Sequence, residues 1–158
     1  MHPGLAVTAN WSWRFSRPRR LRLAELGLLT SAWVQLLAVE LGVRCLGVRR
    51  TASLARDVAP SAPAPTTAQW QAENYARWLG VAARHHVVRA ECLHQSLALH
   101  QWLRARGAPS TFVIGVARSE GELQAHAWVR LGDRLVGDSD ATVAPFTELT
   151  AAGADPWQ

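Results

Sequence analysis

The chain has 158 residues and a mass of 17.3 kDa, which is the size of a single domain. Its composition, 49% hydrophobic and 18% charged, excludes a disordered chain, and its two cysteines are too few for a disulfide scaffold. Residues 1–50 hold eight Arg and two acidic residues, a charge of +6, whereas residues 51–158 hold nine Arg and ten acidic residues, a charge of −1. Because the body of the chain is nearly neutral, it lacks the basic face of a nucleic-acid-binding protein, and we expect no nucleic-acid partner.

The N-terminal third of the chain predicts a tail, a helix and a linker. Residues 1–20 are rich in Arg and aromatic residues, which is typical of either a solvated tail or a docking segment. Apolar residues at helical spacing predict a broad apolar helix over residues 21–48, either buried or lying against a partner. Cys45, near its end, is expected to be a small buried hydrophobic side chain. Residues 57–67 contain three prolines and are predicted to form a linker.

The longest uncharged run, Leu26–Val39, bears on the location of the protein. It lies between Glu25 and Glu40 and is shorter than the roughly 20 residues that a transmembrane helix needs. Charged residues follow it, rather than a small-residue cleavage site, which disfavours a secretory signal. We therefore expect a cytoplasmic protein, with contact between the basic N-terminal region and an anionic membrane surface as an open alternative.

The second half of the chain changes from helical to strand periodicity. A second helix is predicted over residues 67–84, and a third from Glu91 or Cys92 to Arg106, where Gly107 supplies a C-cap. Apolar and β-branched runs then predict three strands, at residues 111–118, 123–131 and 134–138. Helices followed by an antiparallel meander predict an α+β fold, in which the third helix begins near one edge of the sheet.

Three residues of this half have the types and order of a cysteine-protease triad. Cys92 opens a helix, where unpaired N–H groups and the helix macrodipole favour a thiolate. His126 lies within a predicted strand, and Asp138 follows on the next one. In such a set the histidine takes the thiol proton and later protonates the leaving amine, while the carboxylate orients the imidazole. The alternative is a buried structural cysteine beside an unrelated histidine.

The turn between the last two predicted strands decides whether Asp138 can reach His126. A two-residue turn, Gly132–Asp133, places Asp138 opposite Ala127 and on the wrong face of the sheet. The triad therefore requires an odd-length loop or a β-bulge at this point. Asp140 lies two residues further on, on the same side of an extended strand as Asp138, and is the alternative third residue of the triad.

The remaining histidines give no recognisable metal motif. His94 follows Cys92 by two residues, which is not a usual zinc-ligand spacing and directs the two side chains to different sides of the helix. His100 is predicted to face solvent. The chain also lacks the glycine-rich motifs of ATP and dinucleotide sites. We therefore expect no cofactor and no metal.

The segment from residue 91 to residue 138 carries a family resemblance. From residue 92 it reads CLHQSLALHQWLRARGAPSTFVIGV and, from residue 123, LQAHAWVRLGDRLVGD. This combination resembles the leader peptidases of lasso-peptide biosynthesis, which belong to the transglutaminase-like cysteine protease superfamily. The shared features are a Cys-Leu-x-x-Ser/Ala-Leu start of the helix, an Arg-x-Arg-Gly end, an apolar strand ending in Gly-Val, Ala-His-Ala-Trp-Val, and a closing Val-Gly-Asp. The helix over residues 21–48 resembles the family's N-terminal region loosely.

The resemblance implies a papain- or transglutaminase-like α+β fold with Cys92, His126 and Asp138 as the catalytic triad. It implies an endopeptidase that removes the leader from a ribosomally made precursor peptide. The expected organisation is an N-terminal docking region over residues 1–56, a linker over 57–67 and a peptidase core over 68–158.

The resemblance also implies partners. Many such systems hold the leader on a small PqqD-like recognition protein, and the chain leaves no room for that module before its catalytic body. This indicates the stand-alone peptidase, which depends on a leader-recognition protein in trans. A lasso cyclase of the asparagine-synthetase type then uses the freed amine. The alternatives are an acyltransferase that uses an amine instead of water, and a non-catalytic binding scaffold.

Overall fold

The computed structural model describes residues 22–54, 65–86, 91–119 and 121–149. The Arg-rich tail predicted over residues 1–20 lies outside these ranges, as does most of the linker predicted over 57–67. The described part confirms the α+β prediction, because three helices are followed by a small antiparallel sheet.

The three long helices occur close to their predicted positions. They are α1 (Leu23–Ser53), α2 (Pro65–Arg84) and α3 (Cys92–Arg104). α1 is interrupted at Gly47, whose backbone leaves the helical region at φ +80°, close to the predicted end of the helix at residue 48. α3 ends as predicted, since Gly107 is left-handed at φ +71° and the N–H of Ala108 donates to the carbonyl of Leu103.

The sheet has four strands in the order β3-β2-β1-β4. Its elements are β1 (Ser110–Ser119), β2 (Glu122–Leu131), β3 (Arg134–Val136), the short helix α4 (Asp140–Val143) and β4 (Thr147–Glu148). β1 and β2 pair along their whole length, whereas β3 pairs only with Val129–Leu131. Before Val129, this edge of β2 is therefore not paired with β3 and is open to contact with other elements. The sequence analysis predicted neither α4 nor β4, because both are shorter than a recognisable period.

The hydrophobic core joins the helices to one face of the sheet. α1, α2 and α3 pack on one another, and α3 lies against β2 and β1. The largest fully buried side chains of the helices are Leu36, Tyr75, Leu79, Leu97, Leu99 and Leu103. Tyr75 of α2 also stacks on Trp102 of α3, with ring centroids 4.2 Å apart. These contacts hold α3, and therefore its first residue, in a fixed position against β2.

One face of α1 is exposed. Ala32, Leu36 and Val39 face the core, whereas Val34 and Leu41 are each more than half exposed. Cys45 is also exposed, so the prediction of a buried Cys45 is wrong. Apolar residues cover most of the circumference of this helix, and the spacing alone does not tell which side the core covers.

α1 is also the one helix of the described ranges that is long and apolar enough to cross a membrane, and 22% of its most apolar window is buried inside the protein. The uncharged run Leu26–Val39 is too short to span a membrane, but the helix that contains it extends well beyond that run at both ends. Core helices of soluble proteins pass the same test, so the helix by itself assigns no location.

Candidate active site

Cys92 is the first residue of α3, at the predicted start of that helix. Glu91 precedes it in an extended conformation and makes no side-chain hydrogen bond that caps the helix. The first N–H groups of a helix have no intrahelical acceptor and carry the positive end of the macrodipole. The Cys92 thiol, which is partly exposed, therefore lies where a negative charge is stabilised.

His126 lies on β2, opposite Gly115 of β1, and is buried. Its ring centroid is 5.9 Å from that of Trp128 and 5.3 Å from that of Phe146. Gly115 makes room for this packing, because a Cβ at that position would lie 2.6 Å from the Trp128 ring and 2.9 Å from the Cβ of Phe146. The two aromatic side chains thus pack against the imidazole and restrict its orientation.

The turn between β2 and β3 differs from the odd-length loop or β-bulge that the triad was expected to require. It is the two-residue turn Gly132–Asp133, since Leu131 pairs with Arg134, and the expected odd-length loop is absent. A regular continuation of β3 would carry Asp138 to the position opposite Ala127, on the wrong face. Asp138 reaches the site in another way.

β3 ends at Val136, and Gly137 adopts a left-handed conformation at φ +79°. This conformation, which glycine adopts without steric penalty, breaks the alternation of the strand and turns Asp138 back toward His126. The Oδ2 atom of Asp138 lies 3.2 Å from Nε2 of His126, and the two side chains are only 4% and 7% exposed. A glycine between the last apolar strand residue and the aspartate is the signal that predicts this bend.

Two side chains of α2 hold the bend. Gln69 Nε2 donates to the carbonyl of Leu135 at 3.4 Å and to Glu73 Oε1 at 2.9 Å. The N–H of Gly137 donates to Glu73 Oε2 at 3.4 Å. Burial raises the pKa of Glu73, and the hydrogen bonds from Gly137 and Gln69 only partly offset this. Neither residue was identified from the sequence, because only the fold brings α2 beside β3.

Asp140, the alternative third member, does not reach His126. It begins α4 and is exposed, while Ser139 caps that helix by accepting a hydrogen bond from the N–H of Thr142. Of the two candidate carboxylates, the structure therefore brings only Asp138 to the imidazole.

Several hydrogen bonds lower the pKa of the Cys92 thiol: one with the side chain of His126 and others with the backbone of Ala127 and Leu93. Burial raises the pKa of the Cys92 thiol, but these hydrogen bonds and the charge of His126 outweigh it. The pKa is therefore held below the ordinary value of a cysteine. Because Nε2 of His126 binds Asp138, Nδ1 is the ring nitrogen left for the thiol.

The pKa of His126 moves in the opposite direction, to about 9. Burial lowers the pKa, but the hydrogen bonds with Asp138 and Cys92, together with their negative charges, raise it well above 6.5. The two shifts favour a thiolate beside an imidazolium, which is a nucleophile and a proton donor in contact. Such a pair can attack a carbonyl carbon and protonate its leaving group.

His94 belongs to a different set of contacts. Its Nε2 lies 2.7 Å from Oε2 of Glu40 on α1, and Glu40 also pairs with Arg44. His94 thus faces α1, as the spacing from Cys92 indicates. Within the described ranges, no group of three or more His, Cys, Asp or Glu side chains could hold a metal ion.

His100 is buried, so the prediction that it faces solvent is wrong. Its Nδ1 lies 3.0 Å from the hydroxyl of Ser110 at the start of β1. His100 therefore lies on the side of α3 that faces the sheet.

Comparison with known proteins identifies the family. A family model described as the transglutaminase-like superfamily matches residues 33–151, about three quarters of the chain. No curated protein and no solved structure matches the chain. The match begins within α1 and spans the segments that carry Cys92, His126 and Asp138. The chain therefore belongs to the transglutaminase-like superfamily.

Proposed function

We propose that this protein is a cysteine endopeptidase in which Cys92 is the nucleophile, His126 the general acid and base, and Asp138 the residue that orients His126. One observation carries the proposal: the Asp138 carboxylate lies 3.2 Å from the His126 ring, and a hydrogen bond with His126 in turn lowers the pKa of the Cys92 thiol. Membership of the transglutaminase-like superfamily supports cysteine-protease or acyltransferase chemistry.

The first half of the reaction forms an acyl-enzyme. The Cys92 thiolate attacks the scissile carbonyl carbon, and the carbonyl oxygen becomes an oxyanion beside the positive end of α3. The His126 imidazolium then gives its proton to the leaving amine as the carbon–nitrogen bond breaks. Asp138 stabilises the imidazolium and fixes its orientation throughout.

The second half returns the free enzyme. His126, now neutral, takes a proton from a water molecule, which attacks the thioester and releases a carboxylic acid. The thiol group leaves as the thiolate. If an amine took the place of water, the product would be an amide and the protein an acyltransferase, which is the alternative within the superfamily.

We propose the leader segment of a ribosomally made lasso-peptide precursor as the substrate. Support comes from the resemblance of residues 91–138 to lasso leader peptidases. On this proposal the protein acts in the cytoplasm with a separate leader-recognition protein, and a cyclase of the asparagine-synthetase type uses the amine that it frees.

The exposed face of α1 is our proposed docking surface for the recognition protein. Leu23, Val34 and Leu41 recur along this face and are each more than half exposed. Exposed Arg residues lie at both ends of the helix, at Arg22 and at Arg49 and Arg50. An apolar strip between basic ends favours a partner with an apolar groove and acidic flanks.

The test is mass spectrometry of the precursor peptide after incubation with this protein, with and without the recognition protein. We expect one defined cut that disappears in the Cys92→Ala variant and that weakens when the recognition protein is omitted. The matched control is Cys45→Ala, because Cys45 is exposed and lies on α1 rather than at the start of α3. Products that carry an added amine instead of a free carboxylate would favour the acyltransferase.

Cleavage by Cys92→Ala at the wild-type rate would overturn the assignment of the nucleophile. Binding of the precursor without cleavage by either protein would favour the non-catalytic scaffold. Cleavage that does not depend on the recognition protein would support the peptidase assignment and contradict the proposed partner.

A further inference from the structure

Ser96 lies one helical turn after Cys92, so both side chains project from the same side of α3. The Ser96 hydroxyl donates to the carbonyl of Ala127 at 2.8 Å, and both residues are at least 96% buried. A hydrogen bond with the backbone of the same Ala127 is among the causes that lower the pKa of the Cys92 thiol. Two side chains of α3 therefore bind the two backbone groups of a single strand residue.

The geometry of the strand couples these two contacts. In a β-strand the N–H and C=O of one residue point toward the same edge. Ala127 turns both groups toward the edge of β2 on which β3 lies, and β3 pairs only with Val129–Leu131. The opposite edge belongs to β1, where Ile114 lies across from Ala127 and directs its own carbonyl to the N–H of Leu149.

We propose that Ser96 is a positioning residue, which holds the Ala127 carbonyl and thereby aims the Ala127 N–H at the Cys92 sulfur. A serine in a helix interior commonly bonds the carbonyl four residues earlier, which here is that of Cys92. Ser96 instead makes a bond across to β2. This inference rests on the proposed role of Cys92 as the nucleophile.

The position of the hydroxyl also fixes the distance between α3 and β2 at the site. His126 is the neighbour of Ala127 on β2, so a shift of the Ala127 backbone would move the imidazole as well as the N–H. Loss of the hydroxyl should therefore weaken two of the interactions that favour the Cys92 thiolate. It should do so without removing any group that contacts the sulfur.

The test measures alkylation of Cys92 by iodoacetamide as a function of pH, in full-length protein that carries Cys45→Ala. Cys92 is then the only cysteine of the chain. We expect Ser96→Ala to slow alkylation at neutral pH by about three- to tenfold, because a hydrogen bond to a charged group is weakened. The reactivity profile should also move toward higher pH.

Ser110→Ala is the matched control, because Ser110 is a buried serine that also binds α3, through His100, at the end of the helix away from Cys92. It should lower thermal stability comparably and leave the alkylation profile in place. If Ser96→Ala does not fold, Ser96→Thr and Ser96→Val provide an isosteric pair with and without the hydroxyl. We expect the threonine variant alone to keep the wild-type profile.

A wild-type profile in Ser96→Ala, or identical profiles in the threonine and valine variants, would overturn the positioning role. The Cys92→Ala protein, in which only Cys45 reacts, supplies the reference rate. If Cys92 of the wild type reacts no faster than this reference at neutral pH, the proposed function fails, and this inference fails with it. If Cys92 is activated but its alkylation profile does not change in Ser96→Ala, this inference fails and the proposed function stands.

Discussion

Replacement of Gly137 by alanine should separate the catalytic contribution of the bend from its cost in stability. Gly137 has φ +79°, and this conformation turns Asp138 toward His126 after a strand whose register points it the other way. An alanine favours negative φ, so the variant must either retain a strained backbone or let Asp138 move away from the imidazole.

The magnitudes of the two effects differ. A left-handed alanine costs about 1–2 kcal/mol, which corresponds to a fall in Tm of about 2–8 °C for a chain of this size. Loss of the His126–Asp138 hydrogen bond, which involves charged groups, costs about 1.5–3 kcal/mol. If that loss falls entirely on the transition state, kcat/KM decreases by about 10- to 150-fold. The assay is peptide cleavage, measured beside thermal unfolding.

Gly132 provides the control, because it belongs to the same hairpin, has φ +60°, and has open space where a Cβ would lie. Gly132→Ala should show a similar fall in Tm but nearly wild-type kcat/KM. Equal losses of activity in Gly132→Ala and Gly137→Ala would refute the reasoning, since the effect would then follow stability rather than the orientation of Asp138.

The remaining predictions concern the His126 imidazole and the aromatic side chains packed against it. Cleavage should require the His126 imidazolium and should therefore decline as pH rises through about 9, the pKa of His126. Asp138→Asn should move this decline to lower pH, and an unchanged pH–rate profile would contradict the assigned contact. The raised pKa of His126 by itself contributes stability that is complete below about pH 6.5 and lost as pH rises through about 9, whereas the lowered pKa of Cys92 contributes stability that increases with pH toward 9.0, so the two contributions oppose each other. Gly115→Ala should destabilise the protein by about 1–3 kcal/mol, because the new Cβ overlaps the Trp128 ring. Gly27→Ala, where a Cβ meets nothing within 4 Å, should have no such cost, and similar unfolding curves for the two variants would count against the packing argument.

The sequence sufficed for elements whose signals are local. α3 combines apolar residues at helical spacing with Gly107 at its end, and the hairpin combines apolar runs with a two-residue turn that contains Gly132. Each of these signals acts over a few residues and agrees with the tertiary structure. The start of α3 at Cys92 and the position of His126 within β2 could be predicted for this reason.

The sequence did not suffice where the outcome depends on which surfaces meet. Cys45 and His100 lie on helices whose burial is decided by the neighbouring elements, and each was assigned to the wrong environment. The contribution of Glu73 depends on packing between α2 and the segment after β3, and no spacing along the chain indicates it. The route of Asp138 to His126 was missed because strand alternation was extended through Gly137, whose conformation ends the strand.

The short length of β3 connects the bend to the nucleophile. If β3 continued beyond Val136 in the same register, Asp138 would pair with Ala127 and occupy its backbone N–H and C=O. Those two groups are the ones that Cys92 and Ser96 use. Ending the strand at Gly137 therefore frees the edge of β2 for α3 and, in the same step, turns the carboxylate toward the imidazole. A variant that lengthened β3 should for this reason disturb both the thiol and the histidine, whereas one that only removed the carboxylate should leave the Ala127 contacts intact.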